Sequence, residues 1–249
     1  MDENWRILSG QALHQASVKD YANAETTYKK AIREAEVFGK GDVRLASSLN
    51  GLASVLKAEK KWTEAEDAAR RAMNIYSENP GFESLEYAES QSTLAGVLMD
   101  EGKYQPALQN IQSMLPSLER KLGPDSTNTA DAICMQGDVY RLLKQYANAE
   151  APLRRCAELR SDDRGVASPE FGEAANSLAL VCQHLGKYSD ADRYFTYAAK
   201  IREQSLGIQS RELAETLEAH AVLLHQLGRN AEAKQKERMA AAIRAHAGK

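Results

Sequence analysis

The chain has 249 residues, with 32 lysines and arginines against 35 aspartates and glutamates, and a formal net charge of −3. That balance exerts no global pull toward nucleic acid or an anionic membrane surface, and no apolar run approaches the ~20 residues of a helical membrane span. Six prolines, sparse aromatics and a predominance of alanine, leucine, glutamate, lysine and arginine favour helix throughout.

Taken in chain order, the same short grammar recurs. A small residue stands at Ala12, Ala53, Ala95, Gly137, Ala179 and Ala221, at intervals of 41 or 42 residues. Nine residues later comes an aromatic, at Tyr21, Trp62, Tyr104, Tyr146 and Tyr188, with Asn230 as the exception in the last copy. Three residues beyond that comes an alanine, at Ala24, Ala65, Ala107, Ala149, Ala191 and Ala233. A fixed period of this length over the whole sequence predicts a solenoid array in one elongated domain, residues 1–249, and not a globular enzyme core.

The second copy shows what one period encodes. Leu49, Leu52, Ala53 and Leu56 recur at helical spacing, Lys60 and Lys61 interrupt, and Trp62, Ala65, Ala69, Ala72 and Ile75 begin a second apolar stripe. This predicts two amphipathic helices joined by a tight turn, brought close at Ala53 and Ala65. The turn carries glycine at Gly102, Gly186 and Gly228, where a left-handed backbone costs least.

Repeats are placed at about 4–40, 44–82, 85–124, 126–165, 168–207 and 210–247. Between them, Ser84, Ser168 (followed by Pro169-Glu170) and Ser210 (followed by Arg211-Glu212) read as helix N-caps. Leu122-Gly123-Pro124-Asp125 closes the third. Pro106 falls in a first turn and is harmless, whereas Pro116 and Pro152 are expected to bend their helices or end them early. Gln11 and Gln15 replace Leu52 and Leu56 in the first copy, and Glu237 replaces Phe195 in the last, as befits the polar outer faces of terminal repeats.

These residues resemble the tetratricopeptide repeat, with small residues at two close-packing positions and a tyrosine opening the second helix. The period exceeds the usual ~34 residues. Units such as SLNGLASVLKAEKKWTEAEDAARRAM, with the Leu122-Gly123 and Leu206-Gly207 linkers, are similar to the kinesin-light-chain type. The resemblance implies an all-α fold, a right-handed superhelical α-solenoid of six helix-turn-helix repeats whose first helices line a concave, peptide-binding groove. The heptad coiled coil that joins kinesin light chains to heavy chains is absent.

The core stripe of each first helix fixes its opposite face: three and six residues before the small residue, and one, four and five after it. The candidate partner-binding residues on that face are Ser47, Asn50, Ser54, Lys57, Glu89, Ser92, Asp100, Asp131, Cys134, Asp138, Arg141, Glu173, Asn176, His184, Glu215 and Glu218. Seven are acidic, and Arg141 is the one base beyond the second repeat. Such a face focuses its field on a partner segment with lysine or arginine. The competing reading is that Glu89, Asp131, Glu173 and Glu215 are solvated carboxylates of helix first turns.

Asn50 and Asn176 match the groove asparagine of kinesin-light-chain repeats (here LNGLA and ANSLA), and an amide there would pair with an extended peptide backbone. Ser9, Ser92, Cys134 and Glu218 depart from it, and the acidic bias opposes tryptophan-plus-acidic cargo motifs.

No Walker loop, HExxH, GxSxG or spaced Cys/His set exists, so no cofactor or metal is expected. His184 and His225 face the groove as solvated side chains, and His220 lies on the apolar stripe as a satisfied core residue. Met1 to Trp5 lacks the start of a secretory signal. Cys134, Cys156 and Cys182, odd in number and without CxxC spacing, read as reduced thiols in a cytoplasmic setting. From Arg229 onward, six bases face Glu232 and Glu237 in an exposed capping helix or a basic element toward an acidic partner.

The leading expectation is a non-enzymatic adaptor that binds a peptide or helix of another protein, without nucleic acid or membrane insertion. The alternatives are a self-assembling homo-oligomeric scaffold and a sensing domain of a larger protein.

Overall fold

A computed structural model describes residues 2–82, 84–161 and 168–247, and the chain divides into two compact units, Met1–Pro124 and Asp125–Lys249. The first contains α1 (Asp2–Ser17), α2 (Tyr21–Glu36), α3 (Val43–Ala58), α4 (Trp62–Tyr76), α5 (Leu85–Asp100) and α6 (Tyr104–Leu122). The second contains α7 (Thr127–Leu142), α8 (Tyr146–Arg160), α9 (Pro169–His184), α10 (Tyr188–Leu206), α11 (Arg211–Gln226) and α12 (Asn230–Ala247). All six residues at the aromatic register, Asn230 included, open a second helix. The predicted end of the fourth repeat, at 165, lies outside the described residues.

The paired small positions, Ala12 with Ala24 through Ala221 with Ala233, are all buried. Larger apolar side chains fill the space around them: Leu49, Leu94, Leu98, Ile111 and Met114 in the first unit, and Leu153, Leu178, Phe195, Leu217 and Leu224 in the second. In the fourth repeat the small residue must be glycine. A Cβ at Gly137 would stand 2.6 Å from Leu153 Cγ, where the other repeats accommodate alanine.

Each helix pair turns through the same closure. The amides of Asp20, Lys61, Lys103, Gln145, Lys187 and Arg229 donate across the turn to the carbonyls of Gln15, Leu56, Leu98, Tyr140, Cys182 and Leu224 at 2.8–2.9 Å. This six-to-one bond requires a left-handed residue just before it. Gly102, Gly186 and Gly228 supply it with φ of 83°, 74° and 74°, as the sequence predicts. In the other three turns it is a lysine, Lys19, Lys60 or Lys144, with φ of 59–63°. The closure bond therefore holds a backbone geometry that these residues do not favour.

Ser84, Ser168 and Ser210 cap α5, α9 and α11, accepting from the amides of Tyr87, Phe171 and Leu213. Ser126 caps α7 and Asp42 caps α3 in the same manner. Of the two outcomes expected at Pro116 and Pro152, a bend or an early end, the early end is corrected. The α6 helix continues past Pro116 to Leu122, and α8 past Pro152 to Arg160. Packing of the apolar stripes on both sides outweighs one lost backbone bond.

Successive second helices are joined by an ion-pair ladder. The acid following the small residue of one second helix meets the base preceding the next. Glu25 pairs with Lys61 at 2.6 Å and Glu66 with Lys103 at 2.7 Å in the first unit. In the second, Glu150 pairs with Lys187 and Asp192 with Arg229, both at 2.6 Å. Lys29, with Lys61, draws the Glu25 carboxyl down to about 2. Asp192 also accepts from His220 Nε2 at 2.6 Å, and that imidazole, 3% exposed, stacks on Phe195.

Candidate functional site

Within each unit the first helices lie side by side, so that one face of three parallel helices is available. In the first unit, Trp5 Nε1 donates to Ser48 Oγ at 2.9 Å between α1 and α3. Lys57 Nζ on α3 lies against Gly96 and 3.9 Å from Asp100 on α5. Ser47 hydrogen-bonds the hydroxyl of Tyr76, a group that burial pushes up to about 12. Ser54 donates to the Asn50 carbonyl, and Ser92 is half-buried. Asn50 is half-buried too, and its side-chain oxygen is shielded from solvent with no hydrogen-bond partner. Burial and the neighbouring Glu86 raise the Glu89 carboxyl above the usual range.

In the second unit, Ser177 on α9 donates to Asp138 on α7 at 2.7 Å. Asn176 on α9 accepts through Oδ1 from Thr216 on α11 at 3.1 Å, and Thr216 in turn accepts from Arg202 at 2.6 Å. The Asn176 oxygen shares the Thr216 hydroxyl with the Glu212 carbonyl, also at 3.1 Å, and its amide nitrogen makes no hydrogen bond among the described residues. The two asparagines share a register but offer opposite halves of the amide.

Most of the predicted acidity is met from within the chain. Of the seven face carboxylates, Asp100 pairs with Lys57, Asp131 with Arg160, Asp138 with Arg141, Glu215 with Arg211 and Glu218 with Arg244. Arg160 and Arg244 reach this face from the second helices α8 and α12, which a count over first helices omits. Glu89 and Glu173 are the two without an ion pair among the described residues. Glu173 is raised by burial and by Asp138, Glu170 and Glu212, against an opposing pull from Arg202.

Two expectations are corrected here. Cys134 is not a free thiol on the face: it is bonded to Cys156 of α8, with a Cα–Cα separation of 5.1 Å. The reading of three reduced thiols fails with it, and so does the support it lent to a cytoplasmic setting, since such bonds persist chiefly in oxidising compartments. Cys182 is free and buried, its thiol pushed up to about 11 by that burial. The histidines also separate. His184 stacks flat on Tyr146, with ring centroids 4.1 Å apart. His225 turns to Asn230 and Glu237 at 2.8 and 3.0 Å. Among the described residues no group of three or more His, Cys, Asp or Glu side chains could hold a metal ion, and no helix is long and apolar enough to cross a membrane.

Between α9 and α11 the face opens into a notch of about 530 Å³, lined by Leu180, Gln183, His184, Ala219, Val222 and Gln226. Its walls are set in place: Gln183 Nε2 donates to Gln226 Oε1 at 2.9 Å, and His184 is held by its stack on Tyr146. Val222, 54% exposed, and the half-buried Leu180 give it an apolar floor.

The fold is shared with solved proteins of low sequence identity. BtubC (BKLC) from P. vanneervenii aligns with a TM-score of 0.74 at 18% identity, over 92% of each chain. A putative kinesin light chain from Podosopora anserina with nearly identical TPR-like repeats aligns at 0.67 and 17% identity, over 80% of this chain and 95% of that one. A Rap protein complexed with competence and sporulation factor aligns at 0.65 and 19% identity, over 98% of this chain and 75% of that one. No curated protein matches the sequence. The tetratricopeptide-repeat model, in contrast, matches residues 6–78, 86–162 and 170–245, and with the six helix pairs this shows that the chain belongs to the tetratricopeptide-repeat family.

Proposed function

We propose that this protein is a non-enzymatic adaptor that holds a peptide or helical segment of another protein against the face of its first helices. The observation that carries the reading is the Asn50 side-chain oxygen, shielded and without a partner on that face. An unmade hydrogen bond of this kind costs about 1–3 kcal/mol, and a partner's backbone amide would recover it once the Asn50 side chain turns its shielded oxygen outward. The free amide nitrogen of Asn176 offers the complementary bond to a backbone carbonyl. A Rap protein of the same fold is known in complex with competence and sporulation factor, which supports ligand holding as a use of this architecture. With most face carboxylates internally paired, a basic partner is favoured through Glu89 and Glu173 and not through the whole face.

The test is selection of a random displayed peptide library on the full-length chain. Selected peptides are then titrated against wild type and an Asn50→Leu/Asn176→Leu variant of unchanged circular dichroism. Binding should weaken at least tenfold in the variant. Equal binding to both proteins, or a library that enriches nothing over a blank surface, would sink the adaptor reading. A mass that grows with concentration in light scattering, and stops growing in the same variant, would replace it with self-assembly.

A further inference from the structure

The notch between α9 and α11 stands in register with the charge on the same face. Along α9, Glu173, Asn176 and Leu180 fall at i, i+3 and i+7, and along α11 Glu215, Glu218 and Val222 repeat the spacing. Acid therefore occupies the N-terminal row and an apolar side chain the row two turns later, about 10 Å away along the helices. Of the N-terminal row, Asp131 and Glu215 are satisfied by Arg160 and Arg211, whereas Glu173 has no ion pair among the described residues and has Asp138, Glu170 and Glu212 as acidic neighbours. Asn176, with its amide nitrogen free, lies between that carboxylate and the notch.

We propose that the notch takes the aliphatic side chain of an extended partner segment, and that a lysine or arginine two residues away in the segment meets Glu173. The proposal rests on the adaptor reading and names the chemistry of its ligand. Two residues of extended chain advance about 6.7 Å and return the side chain to the same face, and a lysine or arginine stem covers the remaining distance. The intervening backbone passes Asn176, where a carbonyl can accept from its amide. An acidic residue in place of the base would be repelled by Glu173, with Glu170 and Glu212 beside it, against the opposing charge of Arg202. The walls need no rearrangement, so little ordering cost falls on the protein.

The test is a methyl-resolved NMR titration of the full-length chain with a Gly/Ser peptide carrying a single central Leu-Ser-Lys. Leu180 and Val222 methyl resonances should shift and saturate. The Ala-Ser-Lys peptide should bind about tenfold more weakly, the loss expected when a partly enclosed contact gives up about two methylenes, and the Leu-Ser-Glu peptide should lose a similar factor through like-charge repulsion at Glu173. Glu173→Gln should weaken the lysine peptide while leaving the glutamate peptide as poor as before or better. No methyl shift, or equal shifts from the lysine and glutamate peptides, overturns the inference. Library-selected peptides keep the two ideas apart. If they bind wild type but lack the aliphatic–x–base pair and are indifferent to Val222→Asp, the inference falls and the adaptor reading stands. If the library yields no binder, both fall.

Discussion

Reduction of the Cys134–Cys156 bond should destabilise the second unit by an amount the chain itself sets. The two cysteines are 22 residues apart and join α7 to α8 within one repeat. Closing a loop of that length in the unfolded chain removes entropy worth about 3 kcal/mol at 25 °C. The folded side adds no compensating relief, because Gly137 already brings the same two helices into contact at Leu153. In an array whose repeats contact their neighbours alone, the loss should be local. Urea unfolding with and without dithiothreitol should show a lower midpoint for the reduced chain, and amide exchange should quicken in α7 and α8 while α1 to α4 keep their rates. Alkylation of the unfolded, unreduced chain should add one label, at Cys182, against three after reduction. Three labels without reductant, or identical midpoints and exchange in both states, would refute the account.

Gly137→Ala places a methyl 2.6 Å from Leu153 Cγ and 3.1 Å from the Leu153 backbone nitrogen, and should cost about 1–3 kcal/mol in urea unfolding. Lys144→Gly relieves a left-handed lysine at φ 59° and should raise the unfolding free energy by up to about 1 kcal/mol, while Gly186→Ala at φ 74° should lower it by a similar amount. His220 is held below its ordinary range by burial, with Arg229 and Lys236 opposing its charge and Asp192 favouring it. The unfolded chain therefore takes up that proton first as pH falls. The contribution of His220 is complete above about 6.5 and is lost as pH drops through the lowered folded value. The wild-type midpoint minus that of His220→Phe should accordingly fall between pH 7 and pH 5.

The helix register was legible because it depends on residue size. Only alanine or glycine fits where two helices touch, and an aromatic or its surrogate opens the second helix, so Tyr21 through Asn230 mark boundaries without knowledge of partners. What escaped the sequence is contact between registers. Cys134 and Cys156 are equivalent to Asn176 and Ala198 one repeat later, and to Asn50 and Ala72 two repeats earlier. The face residue therefore stands beside a small residue of the second helix, and a cysteine at both registers was a readable signal for a bond. An odd count of cysteines obscured it. The ladder of Glu25–Lys61, Glu66–Lys103, Glu150–Lys187 and Asp192–Arg229 was also present as a fixed 36- or 37-residue spacing of opposite charges. The third and fourth repeats carry Leu108 and Gln145 at those registers, neither of them charged. Lysine in three left-handed turns defeats any search for glycine, because the closure bond imposes the geometry whatever the side chain.

The position three residues before the small residue shows how one backbone carries unequal hydrogen-bonding capacity. Its six occupants are Ser9, Asn50, Ser92, Cys134, Asn176 and Glu218. Ser9 and Asn50 each have a shielded oxygen without a partner, Cys134 is consumed by a disulfide, Asn176 has its oxygen bound by Thr216, and Glu218 is clamped by Arg244. A ligand cannot be read by one identical bond per repeat along such a row, as a regular asparagine ladder would allow. Among the described residues, unmade hydrogen bonds fall at the shielded Ser9 hydroxyl, which can donate or accept, and at the shielded Asn50 oxygen, an acceptor, with the Asn176 amide nitrogen as a donor in reserve. Under the proposed adaptor reading, specificity comes from what flanks those points, which for Asn176 is a carboxylate with no ion pair among the described residues on one side and an apolar notch on the other.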